Sequence, residues 1–457
     1  MKNKYNMTPQ NVSPVHTENR TIRTELPVRE SLEYFEKLMA SEPRSMMGQP
    51  PILIDHAEGF KVYDRWGNCW IDWSSGVLIM NAGHGRPEIR DALRELVDKP
   101  LLSSYVFAHE KRAELTDLLR KASPSPEDFL VFLLSTGSEA VENAIKIAKQ
   151  YALSHYGPEK KWVVSFTYGF HGRTMGSQLA GGNDGQKEWI GDYKQYPFLQ
   201  VPFPDGYKNE DTSFDLFLKT IEERGLQADQ IAAVITESYQ GVGPDFLPDE
   251  YAGQLSEYCR RNNITLIFDE VQAGFGRTGS FWGFEQYEIV PDIIVCGKGI
   301  SSSLPLAAVI GRKELMNMYP PGSMTSTHSG SPLPAAAAIE NIKIIQKENL
   351  AQRAKELEPV LYEGLKKIQQ RYPERLGCLH ARGLVAGIQV VKSGTKTPDP
   401  ETALAINEKA FQRGVLMFAP VGIAGECLKI SPPLVISREA LVESIAVMEE
   451  ACDEVLG

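Results

Sequence analysis

The chain has 457 residues, 42% of them apolar and 23% charged, with a net charge of −11. That length supports two or three domains and a large core, and the acidic balance argues against a nucleic-acid or anionic-membrane partner. No run reaches the roughly 18 apolar residues a membrane span needs, and Met1-Lys-Asn-Lys-Tyr-Asn lacks the apolar stretch of a secretory signal. The six cysteines are scattered without the close spacing of a disulfide framework or a zinc site, so reduced thiols, no metal and a cytoplasmic location are expected.

In chain order, residues 1 to about 30 are polar and without period, and read as a loose arm. From Ile52 to Trp73 short strand-like runs alternate with turns at Glu58-Gly59 and Trp66-Gly67-Asn68. Pro87 to Lys99 reads as an amphipathic helix. Apolar runs then recur at Phe129–Leu134, Trp162–Phe166, Ile231–Thr236, Ile264–Phe268, Ile293–Cys296 and Leu306–Ile310. Most are continuous rather than alternating, which predicts strands buried on both faces. Helical patterns such as Ser138–Tyr151 and Pro248–Asn262 lie between them. The expectation is an α/β fold with a mainly parallel central sheet, flanked by helices. Beyond Ser331-Pro-Leu-Pro334 a long helix (Ala335–Gln346), a charged helix (Leu350–Arg371), short strands and a last helix predict a smaller α+β domain.

Ligands in parallel sheets gather at the carboxyl ends of strands, and several chemically distinctive groups fall there. Ser135-Thr-Gly-Ser138 follows a strand and opens a helix. It is either a phosphate-binding helix start, with Thr136, Gly137 and Ser138 as donors, or a simple Ser/Thr cap. Tyr168-Gly-Phe-His-Gly-Arg-Thr174 follows the next strand, where Phe170 is placed to stack on a planar ring or to fill the core. Asp269 ends one apolar strand, and Lys298 follows another between two glycines. A lysine forms a Schiff base with an aldehyde cofactor, while a carboxylate keeps that cofactor's ring nitrogen protonated. The cofactor with both needs is pyridoxal 5'-phosphate (PLP). Gln272 is within reach of the ring hydroxyl, and Lys298 is expected to carry a lowered pKa. Ile264–Glu270 has the look of a nucleotide-site strand, but no G-x4-G-K-[ST] loop accompanies it. Gly274-Phe-Gly-Arg-Thr-Gly279 matches G-x-G-x-x-G without opening an apolar helix.

Taken together these residues resemble the class III (ω-amino acid type) aminotransferases, of fold type I among PLP enzymes. The resemblance runs from about Asp55 to Pro433. It is carried by Asn81-Ala-Gly-His-Gly85, Ser135–Asn143, Phe170–Thr174, Glu237, Phe268–Gly279, Gly297-Lys-Gly299 and Ser431-Pro-Pro-Leu434. It implies that Lys298 holds the cofactor as a Schiff base, Asp269 pairs with the ring nitrogen and Gln272 contacts the ring oxygen. Val271 packs under the ring and Phe170 over it, with His171 beside them. Thr136, Gly137 and Ser138 hold the phosphate, and Thr327 reaches the phosphate of a partner subunit, so a homodimer (or dimer of dimers) with shared active sites is implied. Glu237 takes the place of a gate glutamate near cofactor and substrate, and Arg173 that of a substrate-carboxylate contact; Val77, with Ile79 and Tyr105, lines the substrate side. Many relatives carry an arginine where this chain has Lys429. Lysine offers a point charge rather than a bidentate fork, which leaves the acceptor open between pyruvate and 2-oxoglutarate. The implied organisation is an arm and packing segment (1–75), a large PLP domain (76–334) and a small domain (335–457).

The implied activity is transfer of an amino group from a primary amine or (ω-)amino acid to a 2-oxo acid, by a ping-pong route through pyridoxamine phosphate. The alternatives on the same scaffold are amino-acid racemisation or epimerisation, an aminomutase, or decarboxylating transamination; a non-enzymatic scaffold would be expected to have lost Lys298.

Overall fold

The computed structural model describes residues 4–457. The chain divides into two compact units, one joining the segment up to Arg86 with Gln352–Gly457, the other Pro87–Ala351.

The second unit is built on one seven-stranded sheet. Its strands are β1 (Phe129–Leu134), β2 (Trp162–Phe166), β3 (Phe198–Val201), β4 (Ile231–Glu237), β5 (Thr265–Asp269), β6 (Ile293–Cys296) and β7 (Ala307–Arg312), in the order β1-β7-β6-β5-β4-β2-β3. All neighbours run parallel except β7, which is antiparallel to both β6 and β1. The mainly parallel α/β architecture expected from the continuous apolar runs is therefore present. Ile235, Ile267, Ile293, Val295 and Val309 are wholly buried and join Val141, Ala144 and Ala148 of helix α1 (Gly137–Tyr156) in one core. Each such side chain contributes about 1.5–3 kcal/mol on burial, and helices on both faces leave no room for polar alternation.

Three elements differ from the sequence expectation. Strand β3 was not anticipated: it is a four-residue edge strand with Gln200 at its centre, too short and too polar to stand out. Helix α2 (Pro332–Lys347) belongs to the second unit, not to the C-terminal domain. Its Ala335–Ala338 face lets the helices Pro87–Val97 and Glu110–Lys121 approach closely. In the first unit, the polar N-terminal segment is a packed part of the fold rather than a loose arm. Ile22, Leu26 and Val28 are buried with Val62, Trp70, Phe411 and Leu416, and the Tyr5 hydroxyl donates to Asn407 Oδ1 at 2.8 Å. The partners lie tens of residues away at Val62 and Trp70 and almost four hundred or more away at Asn407, Phe411 and Leu416, so no local period reveals them. The rest of this unit holds a sheet of short strands that includes His56–Glu58, Lys61–Tyr63 and Cys69–Asp72, and a three-stranded antiparallel sheet of Leu376–Arg382, Val385–Val390 and Cys427–Ile430. Among the described residues no helix is long and apolar enough to cross a membrane.

Candidate active site

The carboxyl ends of β1, β2, β4, β5 and β6 bring the predicted groups together in the second unit. The point of convergence can be measured at two glycines. A Cβ on Gly137 would lie 3.0 Å from Val271 Cγ1, and one on Gly297 would lie 3.6 Å from Val271 Cγ1 and 3.7 Å from the Gly137 Cα. The turn after β1, the turn after β5 and the turn before Lys298 thus meet at Val271.

Thr136 caps α1 through a reciprocal capping box. Its Oγ1 accepts the Glu139 N–H, while Glu139 Oε2 accepts the N–H groups of Thr136 at 3.2 Å and Ser135 at 2.9 Å. The first orphan donors are thereby settled. The N–H groups of Gly137 and Ser138 remain without a protein acceptor among the described residues, at the positive end of a 20-residue helix. That donor set fits a phosphate. The cap is formed, and it leaves the Gly137 and Ser138 N–H groups open to an anion. Ser138 Oγ also accepts the Arg173 N–H at 3.2 Å, which ties the Phe170–Thr174 turn to the helix start. A side chain at Gly172 (φ +133°) would strike Ser138 Oγ at 2.3 Å, so this close approach requires glycine.

Asp269 is almost fully buried. Its Oδ1 accepts the Val271 N–H at 3.0 Å and its Oδ2 lies 2.8 Å from His171 Nδ1. Burial alone would depress the His171 pKa; the hydrogen bond and charge of Asp269, with the charge of Glu237, outweigh it and raise it. His171, weak evidence as an isolated histidine, is thus the direct partner of the carboxylate expected at the cofactor ring. Proximity of Asp269 and an anion-receptive helix start, with an amine at Lys298, fits the two charged ends and the aldehyde of PLP. Lys298 has φ +42°, a left-handed conformation that costs a non-glycine residue about 1 kcal/mol or more. Burial pushes its ammonium below the usual lysine range, against the pull of Asp269 and Glu237. The neutral amine that a Schiff base needs is correspondingly favoured.

Glu237, expected as a gate residue, is held in place by two backbone donors. It is buried, and both oxygens are engaged: Oε2 accepts the Phe170 N–H at 2.9 Å and Oε1 the Gly241 N–H at 2.8 Å. Burial, with the nearby Asp269 charge, pushes its carboxyl up to about 7 despite His171. In this arrangement it braces the turn that carries Phe170. Next to Asp269, Glu270 is fully buried and accepts the N–H groups of Gly283 at 2.7 Å and Phe284 at 3.0 Å as well as the Ser238 hydroxyl. It anchors the turns between β5 and β6. These glycine-rich turns (Phe275, Gly276 and Gly279 all at positive φ) open no α-helix and lead only to a short 3-10 segment, Gly283–Tyr287, so the G-x-G-x-x-G match is only a spacing.

The Arg173 guanidinium lies 5.5 Å over the Phe170 ring and is exposed. A Cβ on Gly241 would meet Gln272 Nε2, placing the Gly241 turn directly on Gln272. Thr327 is exposed. Val77 and Lys429 belong to the first unit. Val77 (φ +66°) lies in a left-handed turn, Ser75–Leu78, in which all four residues have positive φ. Asp72 braces it by accepting the N–H groups of Ser74 at 2.7 Å and Ser75 at 3.1 Å, and by pairing with His84 at 2.7 Å. Lys429 is buried on the strand Cys427–Ile430, opposite Gly387. Among the described residues no group of three or more His, Cys, Asp or Glu side chains is placed to hold a metal ion.

Comparison with known proteins points the same way. The family described as Aminotransferase class-III matches residues 44–452. A 4-aminobutyrate aminotransferase of Mycobacterium leprae is 34% identical over 94% of this chain and 97% of its own length. An isoleucine 2-epimerase of Lentilactobacillus buchneri is 32% identical over 88% of this chain and 89% of its own. The solved structure of an (S)-enantioselective omega-transaminase from Thermomicrobium roseum has a TM-score of 0.83 at 29% identity, covering 93% of this chain and 99% of that one.

Proposed function

Because this chain belongs to the class III aminotransferases, a family of PLP-dependent transaminases of fold type I, we propose that it transfers the amino group of an ω-amino acid or primary amine to pyruvate or 2-oxoglutarate in a ping-pong cycle. The observation that carries this reading is the convergence of a pKa-lowered Lys298, the Asp269–His171 pair and the free N–H groups of Gly137 and Ser138 at adjacent strand ends. PLP, when bound, supplies the aldehyde, the electron sink and, as pyridoxamine phosphate, the amino carrier between half-reactions. The chain's residues do the rest. Lys298 provides the amine and, when released as a free base, moves the proton at the substrate carbon. Asp269, held by His171 and the Val271 N–H, presents a carboxylate to the ring nitrogen. Thr136, Gly137 and Ser138 take the phosphate, Val271 and Phe170 bracket the ring, and Gln272 meets its hydroxyl. Arg173, Val77 and Lys429 are assigned to the substrate. The 4-aminobutyrate activity named for the M. leprae relative supports an ω-amino acid donor. Incubation of the PLP-loaded protein with 4-aminobutyrate and each oxo acid, with product amino acid measured, tests the assignment.

Lys429 decides the acceptor in this reading. Lys429→Arg is expected to raise kcat/KM for 2-oxoglutarate relative to pyruvate by about tenfold, since a bidentate carboxylate contact replaces a point charge at a gain near 1.4 kcal/mol. An unchanged ratio removes Lys429 from the substrate site.

The epimerase among the relatives favours a second reading, racemisation or epimerisation of an amino acid. Exchange of the Cα proton without net amino transfer identifies it.

We also place the protein in the cytoplasm as a homodimer. The six cysteines are all free, as a reducing compartment requires. Leu101, Leu102, Tyr105, Val106 and Phe107 are exposed, Phe107 at 75%, and the Tyr105 hydroxyl lies 3.4 Å from Thr325 Oγ1, two residues from Thr327. A contiguous exposed apolar segment favours burial against a partner, and a second copy docking there would cover Thr327. Phe107→Glu is expected to shift the sedimentation mass to that of a monomer; a dimer unaffected by it places the interface elsewhere.

A further inference from the structure

Helix α2 is apolar wherever it is buried, with one exception. Pro332, Ala335–Ala338, Ile339, Ile342, Ile344 and Ile345 face inward, and among them stands Asn341, wholly inaccessible. Its Nδ2 donates to the carbonyls of Gly299 at 2.8 Å and Ile300 at 2.9 Å. These are the two residues that follow Lys298. Its Oδ1 is buried without a hydrogen-bond partner.

The arrangement is costly as packing. A buried polar atom left unpaired is destabilising, and leucine at 341 would fill a helix of alanine and isoleucine without an orphan oxygen. Leucine would, however, leave two buried carbonyls unpaired in the turn that carries the lysine. Only a group with two N–H donors on one nitrogen serves both. The turn needs such support. It is a short 3-10 segment, Lys298–Ile300, closed by the Ile300 N–H on the Gly297 carbonyl at 3.0 Å. Its first residue is held at φ +42°. Residues in such conformations persist where their surroundings over-determine them. Gly299 and Ile300 are both buried, so no solvent replaces the amide.

We propose that Asn341 is a positioning residue that fixes the Lys298 backbone, and so sets the direction from which the lysine amine meets the cofactor aldehyde. This rests on the reading of Lys298 as the Schiff-base residue.

The test follows PLP addition to the apo-protein, by the appearance of the Schiff-base absorption and by borohydride trapping with peptide mapping. Asn341→Ala and Asn341→Leu are expected to slow formation of the Lys298 adduct by about tenfold or more, the effect of losing near 1.4 kcal/mol of positioning. The pH midpoint of the absorption should also shift. Asn341→Asp keeps the shape but offers one donor at most, and only while its buried carboxyl, whose pKa burial raises, stays protonated; its rate should lie below wild type and fall further as pH rises through that titration. Ile345→Ala, one turn along the same helix and away from the lysine turn, supplies the control for lost packing. Rates and pH midpoints within about twofold of wild type in the folded Asn341 variants, with melting losses like those of Ile345→Ala, overturn the proposal. Should the Ala and Leu variants not fold, Asn341→Asp decides alone: a rate within about twofold of wild type across the whole pH range, with no added loss as pH rises, overturns it. Retention of the absorption in Lys298→Ala instead overturns the reading of Lys298 on which the proposal stands.

Discussion

Lys298→Ala will bind PLP through the remaining contacts but lose the Schiff-base absorption, and its amino transfer will fall by about 10⁴-fold or more. Two functions disappear with one side chain: the amine that holds the cofactor covalently, and the base that moves the substrate proton. General acid–base catalysis alone accounts for roughly 10²–10⁴-fold, and loss of the covalent step adds to it. The fold should survive. Lys298 spends its conformational strain on being at the site, and its burial already disfavours the charged form; removing the side chain relieves the desolvation. Partial rescue by a small exogenous primary amine is expected, because the cavity and the Asp269–His171 pair stay in place. A variant within tenfold of wild type would show that another group carries the chemistry.

Asp269→Asn is the second large effect. An opposite charge at contact distance shifts a pKa by about one to three units, so the charged ring nitrogen loses about 1.4–4 kcal/mol of support. That corresponds to a fall in kcat of roughly 10- to 10³-fold, with the donor KM much less changed. The substitution is isosteric, and the amide oxygen can still accept the Val271 N–H, now at 3.0 Å. What it cannot do is face His171 as a carboxylate. Asp269→Glu keeps the charge but displaces it by one methylene, away from a partner held at 2.8 Å, and should recover less than the isosteric charge logic alone suggests. A kcat unchanged in Asp269→Asn, measured with saturating PLP, would remove the carboxylate from the ring.

The parts of the site written locally were legible in the sequence. Continuous apolar runs gave buried parallel strands, and the residues at their ends, Ser135–Ser138, Asp269 and Lys298, carry chemistry that survives isolation from the fold. Groups whose meaning is tertiary were not. Glu237 has a sequence neighbourhood like a gate residue, but one oxygen accepts the Gly241 N–H four residues on and the other the Phe170 N–H, a contact that the packing of β4 beside β2 creates. His171 gains its significance from Asp269, 98 residues away. Asn341 gives one faint signal, a lone amide in an otherwise apolar helix face, and its purpose depends on carbonyls more than forty residues upstream. The N-terminal segment has apolar residues at Val15, Ile22, Leu26 and Val28 with no period, because it wraps an existing surface rather than forming one.

The central claim is amino transfer, and a single half-reaction tests it. PLP-loaded protein is mixed with 4-aminobutyrate in the absence of any oxo acid, and the absorption is followed. The account predicts that the Schiff-base absorption is lost in one equivalent, that pyridoxamine phosphate is recovered on denaturation, and that adding pyruvate or 2-oxoglutarate restores the absorption with stoichiometric formation of alanine or glutamate. An absorption that persists with every ω-amino acid and primary amine offered, while an α-amino acid exchanges its Cα proton with solvent, would contradict it.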